Sequence, residues 1–419
     1  MWAGITTVTR PAPFPWASSA MGDTLDVASH VNPARAVAIC PVVPYPAIGG
    51  GHKRTLRLLE AIERAGGTPH VLTADPRGGE GAGVLRDRGW GVEVFQEPLT
   101  LRHRARQHAT RLPSPYVPEI ARRVRELVAE GSAFVQVEQT QSAYYDRAFD
   151  GTPWVLSLHN VDSALLRSIA RAERPLSRGW VSAWNRARAL RSLERRKVPA
   201  AEAVLCVSEE DRDALARLGA EPVLVPNGVD DSFFEIAARP PDEERILFFG
   251  QFDYPPNANG IARFLAEGWP RVAAARPSAR LVLVGAGMTA ELERAVAAGP
   301  RVEALGFVPD LQDELARSRF TLAPLWEGGG TRLKVLESLA ASRTVVGTSV
   351  GVEGIGFEHG RHGVVADTPA ALADSAASLL EQPDRASRLA EEGRRLAERF
   401  RWSEATRPAV ALYERLLAP

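Results

Sequence analysis

The stretch FTLAPLWEGGGTRLKVLESLA, residues 320–340, decides how the rest of the chain is read. FTLAPL is a short, uninterrupted apolar run of the kind that forms a strand buried on both faces. Three glycines follow after Trp326 and Glu327, and then Leu333, Leu336 and Ala340 recur at helical spacing, with Thr331 expected as the N-cap. Strand, glycine turn and helix therefore succeed one another without a linker. Gly329, Gly330 and the first helical turn supply bare N–H donors and partial positive charge, while Arg332 and Lys334 supply full charges. That combination suits a diphosphate. Glu337, one turn beyond Lys334, is placed to take both hydroxyls of a ribose. A flexible turn ahead of a solvated helix face is the plainer reading, but the order glycines, cations, carboxylate on one helix favours a nucleotide site.

The same alternation extends in both directions. Upstream in the second half come RILFFG (245–250) and RLVLVG (280–285), and downstream TVVGT (344–348) and GVVAD (363–367). The first half repeats it with AVAICPVV from Ala36, HVLT (70–73), AFVQVE (133–138), WVLSLH (154–159) and AVLCV (203–207). Short apolar runs separated by helical patterns predict parallel sheets with crossover helices. The chain is thus expected to be α/β, with two doubly wound, Rossmann-like domains facing a central cleft. Residues 1–34, rich in proline and small polar residues, read as a disordered N-terminal tail, 35–236 as the first domain, and the charged 237–244 stretch as a linker. Residues 245–395 form the second domain, and 396–419 read as a C-terminal helix long enough to cross back to the first.

Length and composition agree. A chain of 419 residues suits two cores rather than one, and 45% hydrophobic with 24% charged residues exclude a disordered or fibrous chain. Lys plus Arg and Asp plus Glu number 51 each, so no whole-molecule basic field exists to hold nucleic acid. Cys40 and Cys206 lie inside apolar runs and read as core residues, not as a disulfide or metal cage. With no apolar run of spanning length and no leader pattern, the expected location is cytoplasmic.

Two further motifs follow strands, where ligands of such sheets bind. Gly49, Gly50 and Gly51 open the first helix, in which Leu56, Leu59 and Ile62 form the buried stripe; they either cradle a phosphate or merely turn the chain. Ser157-Leu158-His159-Asn160 ends a strand, which places His159 at the cleft as either a proton-transfer group or a structural histidine. Two basic stretches, LRHRARQHATRL (101–112) and ARALRSLERRK (187–197), read as solvated helix faces. Overall neutrality and the local pairing available to Arg195, Arg196 and Lys197 beside Glu194 favour that reading. The other reading is a surface for an anionic acceptor or for peripheral contact with the inner face of a membrane.

From about Arg35 to its C-terminus the sequence resembles the retaining glycosyltransferases of family four. The resemblance rests on PYPAIGGGHKRTLRLLEAIERAGG, LHNVDSALLRS, VLCVSEEDRDAL, VPNGVD, FFGQFDYPPNANGI, LVLVGAG, GFVPD, PLWEGGGTRLKVLESLA and TSVGVEGI in the family's order. It implies the GT-B fold and transfer of a sugar, with retention, from a nucleoside-diphosphate donor to a hydroxyl of a saccharide, lipid-linked glycan or secondary metabolite. The first domain would bind the acceptor and the second the nucleotide sugar, with no cofactor and no obligatory metal. Gly49 to Gly51 would lie against the diphosphate, His159 beside the donor sugar as a catalytic residue, and Glu337 on the ribose. Many members carry a Glu eight residues before that carboxylate; here the position is Gly329. Glu327 is read as its catalytic substitute, the alternative being a sugar held by backbone alone. Where many members have an Arg and a Lys, this chain has Gln251 to Asn257, which shifts the phosphate cations to Arg332 and Lys334. A sugar-nucleotide 2-epimerase of the same architecture and a non-catalytic sugar-nucleotide-binding scaffold are the competing readings.

Overall fold

The computed structural model describes residues 34–47, 50–75, 78–96, 116–172, 176–236, 242–328 and 332–418. The expected tail up to residue 33, the basic stretch 101–112 and the start of the expected linker lie outside them, as do Gly49, Gly329, Gly330 and Thr331.

The first sheet contains β1 (Arg35–Cys40), β2 (Thr68–Thr73), β3 (Gly91–Val94), β4 (Phe134–Glu138), β5 (Trp154–Ser157), β6 (Ala203–Cys206) and β7 (Pro222–Leu224). These pair in parallel in the order 3-2-1-4-5-6-7. Both faces are covered, and β1 shows how. Ala36, Ala38 and Cys40 pack with Leu58, Leu59 and Ile62 of the first helix, Gly50–Arg64, whereas Val37 and Ile39 pack with Ile120 and Val124 on the other side. A strand buried on both sides needs a continuous apolar run, and RAVAIC supplies one. Truncating Leu59 or Ile62, both fully buried, costs about 2–5 kcal/mol.

The second sheet contains β8 (Asp242–Phe249), β9 (Arg280–Val284), β10 (Val302–Gly306), β11 (Ser318–Ala323), β12 (Thr344–Gly347) and β13 (Gly363–Val365), parallel in the order 10-9-8-11-12-13. Ile246 and Phe248 face one apolar layer with Phe264 and Trp269, while Leu247 and Phe249 face the other with Leu336 and Leu339. β8 begins at Asp242, inside the stretch expected to be linker. Its charges are neutralised by neighbours, Asp242 by Arg280 of β9 and Glu244 by Arg276, so the charged sequence is compatible with a strand.

The C-terminal segment is three helices rather than one beginning at 396. Pro383–Glu398 packs on the second sheet, Trp402–Ala405 bridges, and Arg407–Leu417 packs on the first. Pro408 occupies the first turn of the last helix, where its missing N–H is not needed, and so starts the helix instead of interrupting one. Tyr413 from this helix stacks on Phe134 of β4, with ring centroids 5.4 Å apart, and belongs to the first core.

Each sheet reverses its strand order beside the strand that precedes a glycine-rich turn. The reversal lies between β1 and β4 in the first sheet and between β8 and β11 in the second. These are the positions at which doubly wound sheets open a crevice beyond the strand ends.

Candidate functional site

The first helix starts at Gly50 directly after β1, and a second helix, Leu333–Ala340, starts after β11. The two starts meet. A Cβ at residue 50 would stand 2.9 Å from Leu333 Cδ1, so a larger residue there would have to push the end of that side chain aside. At residue 51 a Cβ would stand 3.2 Å from His159 Nδ1, which places the imidazole against the same helix start. Backbone donors from both halves of the chain and His159 therefore share one crevice.

His159, two residues beyond β5, is fixed by a buried polar network. Its Nε2 lies 3.1 Å from Glu138 Oε2 at the end of β4, and Thr55 Oγ1 donates to the same oxygen at 3.2 Å. Gln136 donates to Glu138 Oε1 at 2.6 Å, and Tyr413 donates to Gln136 at 2.6 Å. Glu138 is fully buried. Burial works to raise its carboxyl, but His159, Gln136 and Arg54 outweigh that and hold it below its ordinary value. The carboxylate is ionised, so Nε2 carries the proton it donates, and Nδ1 is the ring atom facing Gly51. Arg54, likewise buried, donates to Val225 O at 2.6 Å and to Asn227 Oδ1 at 3.3 Å.

Across the crevice, Lys53 Nζ lies 3.0 Å from Glu337 Oε1 and 3.4 Å from Asp230 Oδ2, joining the first helix to the Leu333–Ala340 helix. Arg57 donates to Asp230 at 2.6 Å. Burial opposes the charge on Lys53, but Glu337 and Asp230 more than offset it and hold the ammonium above its ordinary pKa. Glu337, expected on a ribose, thus has a lysine partner from the other half.

Lys334 points elsewhere in the same crevice, donating to Asn257 Oδ1 at 2.6 Å with its Nζ 4.4 Å above the Phe248 ring. Burial pushes its pKa down to about 7, Arg332 pushes the same way, and Glu337 opposes them. Arg332 is buried and donates to Val350 O and Gly328 O, both at 3.0 Å. It also occupies the N-cap position expected for Thr331: the helix begins at Leu333 without a side-chain cap. Among the described residues no side chain accepts from Leu333 N or Lys334 N, while Val335 N turns back to Arg332 O at 2.9 Å. Glu327 accepts from Asn259 at 2.7 Å. A cavity of about 240 Å³ reaches from Asn160 and Asp211 of the first half to Gly328, Glu353 and Gly354 of the second.

Of the expected site residues, Gly50, Gly51, His159, Lys334 and Glu337 are thus brought to the crevice, with Arg332 and Glu327 on the loop that leads into it. Lys53, Glu138, Asp230 and Asn257 were not anticipated. AFVQVE carried a usable signal for Glu138, since two polar residues alternating within a buried strand demand internal partners. Lys53 and Glu337 are 284 positions apart and meet only in the fold.

Two doubly wound sheets whose glycine-turn helices meet end to end across a cleft define a GT-B chain. Comparison with known families agrees. Residues 48–233 match the family described as Glycosyltransferase Family 4, and residues 243–382 match Glycosyl transferases group 1. The chain therefore has the GT-B fold, and each of its halves matches a glycosyltransferase family model. It is 29% identical over 210 residues to phosphatidyl-myo-inositol mannosyltransferase of Mycobacterium tuberculosis, a match covering 47% of this chain and 55% of that one. The chain thus spans about half the length of the curated relatives it matches first. Among solved structures, sucrose-phosphate synthase of Thermosynechococcus elongatus superposes with a TM-score of 0.67 at 20% identity, covering 91% of this chain and 99% of that one. Anabaena HepE in complex with UDP and glucose gives 0.63 at 16%, covering 89% and 97%. Among the described residues no helix is long and apolar enough to cross a membrane, and no group of three or more His, Cys, Asp and Glu is placed to hold a metal ion.

Proposed function

We propose that this chain is a retaining glycosyltransferase that moves a sugar from a nucleoside-diphosphate donor to a hydroxyl acceptor. The observation that carries the reading is the meeting of two glycine-opened helix starts, with His159 Nδ1 against one and Lys334 and Glu337 on the other. Breaking a glycosyl–phosphate bond leaves negative charge on the departing diphosphate and positive charge on the sugar. N–H groups and a lysine fixed beforehand stabilise that charge without reorganising. Glu337 takes the ribose hydroxyls in place of Lys53, and the donor sugar extends toward His159. Glu327, held by Asn259, serves the sugar in the role many members give to a Glu at the position of Gly329. The acceptor hydroxyl enters through the cavity bounded by Asn160 and Glu353, and attack on the face the leaving group vacates retains the configuration. UDP-glucose bound to HepE supports a nucleotide-sugar donor.

The test is thermal unfolding with UDP, GDP, dTDP and ADP, on the wild type and on Glu337→Ala. A nucleotide at 100 times its dissociation constant stabilises by about 2.7 kcal/mol. One nucleotide shifting the wild type but not the variant is expected. Its sugar conjugate, supplied with an acceptor, should give a product of unchanged anomeric configuration by proton NMR. No shift with any nucleotide would overturn the reading.

A further inference from the structure

Beside the cleft, the helices Asp162–Ala172 and Arg178–Lys197 pack together and leave a groove of about 540 Å³. Arg167, Arg188, Arg191, Arg195 and Arg196 line it, with Trp184 at its wall. Five guanidinium groups around one concavity repel unless something neutralises them. The sequence offers Glu194 in their midst, but the fold commits it elsewhere. Glu194 is buried and accepts from Ser163 N at 2.9 Å and Ser163 Oγ at 2.5 Å, close enough to feel Arg191 and Arg167 yet paired with neither. Lys197 is taken by Asp146. The hydrogen bonds the five arginines make are local, Arg167 to Ser163 O at 3.1 Å and Arg196 to Ser192 Oγ at 2.8 Å. Among the described residues no carboxylate lies within ion-pair distance of any of them. Arg57, Arg88 and Arg123 of the same half each meet at least one carboxylate.

We infer that this groove is a second binding site, which takes a phosphate or diphosphate ester. Planar guanidinium forks match phosphate oxygens two at a time, and five on a rigid helix pair give a site selective for multiple negative charge. The adjoining surface suits an ester with an apolar group. Leu176 is 81% exposed, Val181 41% and Trp184 39%, and Trp180 stacks on Trp184 at 5.7 Å. Ala164 and Leu165 of the first helix of the pair line the cleft cavity, so a ligand held at Arg167 lies about one turn from it. Binding in the groove does not depend on the donor assignment above.

The experiment compares the full-length wild type with Arg188→Gln/Arg191→Gln/Arg195→Gln. One arm titrates inorganic pyrophosphate by thermal unfolding in saturating UDP. The other sediments the protein with phosphatidylglycerol–phosphatidylcholine vesicles against phosphatidylcholine alone. The wild type is expected to bind at least one probe, and the variant to bind it at least tenfold more weakly while keeping the wild-type unfolding temperature and nucleotide response. Pyrophosphate without vesicle preference identifies a soluble ester, and anionic-vesicle binding a lipid headgroup. Equal binding by the two proteins, or no binding of either probe by the wild type, overturns the inference. Failure of the donor reading would show separately, as a wild type indifferent to nucleotides.

Discussion

Lys334 titrates at about 7 because it is buried beside Arg332, with Asn257 rather than a carboxylate as its hydrogen-bond partner. A diphosphate arriving at this crevice supplies the missing negative charge and returns the lysine to its ordinary range above 10. Binding must then take up protons. At pH 8 the free lysine is about one-tenth protonated and the bound one fully so, an uptake of about 0.9 proton per nucleotide. By the same linkage the apparent Kd rises about 16-fold between pH 7 and pH 8.5. Titration calorimetry at pH 8 in two buffers of different ionisation enthalpy measures the uptake directly. The nucleotide's own terminal phosphate, with a second pKa near about 6, is already ionised there and adds nothing. Lys334→Met should bind more weakly with no uptake, and Lys334→Arg should bind with an affinity flat in pH because arginine stays charged. An enthalpy independent of buffer in the wild type, or an uptake that survives Lys334→Met, would refute the placement of the diphosphate at Lys334.

Four other substitutions have outcomes fixed by the geometry. His159→Ala should lower turnover by about 10²–10⁴-fold with nucleotide affinity unchanged, and Gly51→Ala, whose methyl would press on Nδ1, should lower it at least tenfold without loss of fold. A loss confined to donor affinity would count against both. Lys53→Met removes the partner of Glu337 and should cost about 1 kcal/mol in urea unfolding at low salt, less at 1 M salt; equal loss at both salt concentrations would deny the ion pair its role. Asp162 is raised to about 6, first by burial and then by Glu194. Its folded pKa exceeds the unfolded value, so the native state holds the proton longer, and stability falls as pH rises from about 4 to 6. Asp162→Asn should therefore stabilise at pH 7 by at most about 3 kcal/mol and by little at pH 4; an equal effect at both would contradict the shift.

Several interior strands were legible because they are largely continuous apolar runs, as in RAVAIC, WVLS, AVLC and TVVG. β3, β7 and β10 were not, and all three are edges of their sheets. GVEV, PVL and VEALG are partly exposed, so their residues obey no rule of burial on both faces. At the site, His159 and the Arg332 to Glu337 segment were readable because strand end, glycines and charges are adjacent in sequence. Lys53 was unreadable for the opposite reason: on its own helix it is one cation beside Arg54 and Arg57, and only the cleft singles it out.

Tyr413 closes the first core from a helix that follows the whole second half in sequence. The Glu138 network that aims His159 is therefore incomplete until the Arg407–Leu417 helix has been synthesised. The first half thus completes its core with a helix made after every strand of the second. A variant lacking Arg407–Leu417 would therefore keep Glu138 and His159 but lose Tyr413, the outer member of the network that fixes the imidazole.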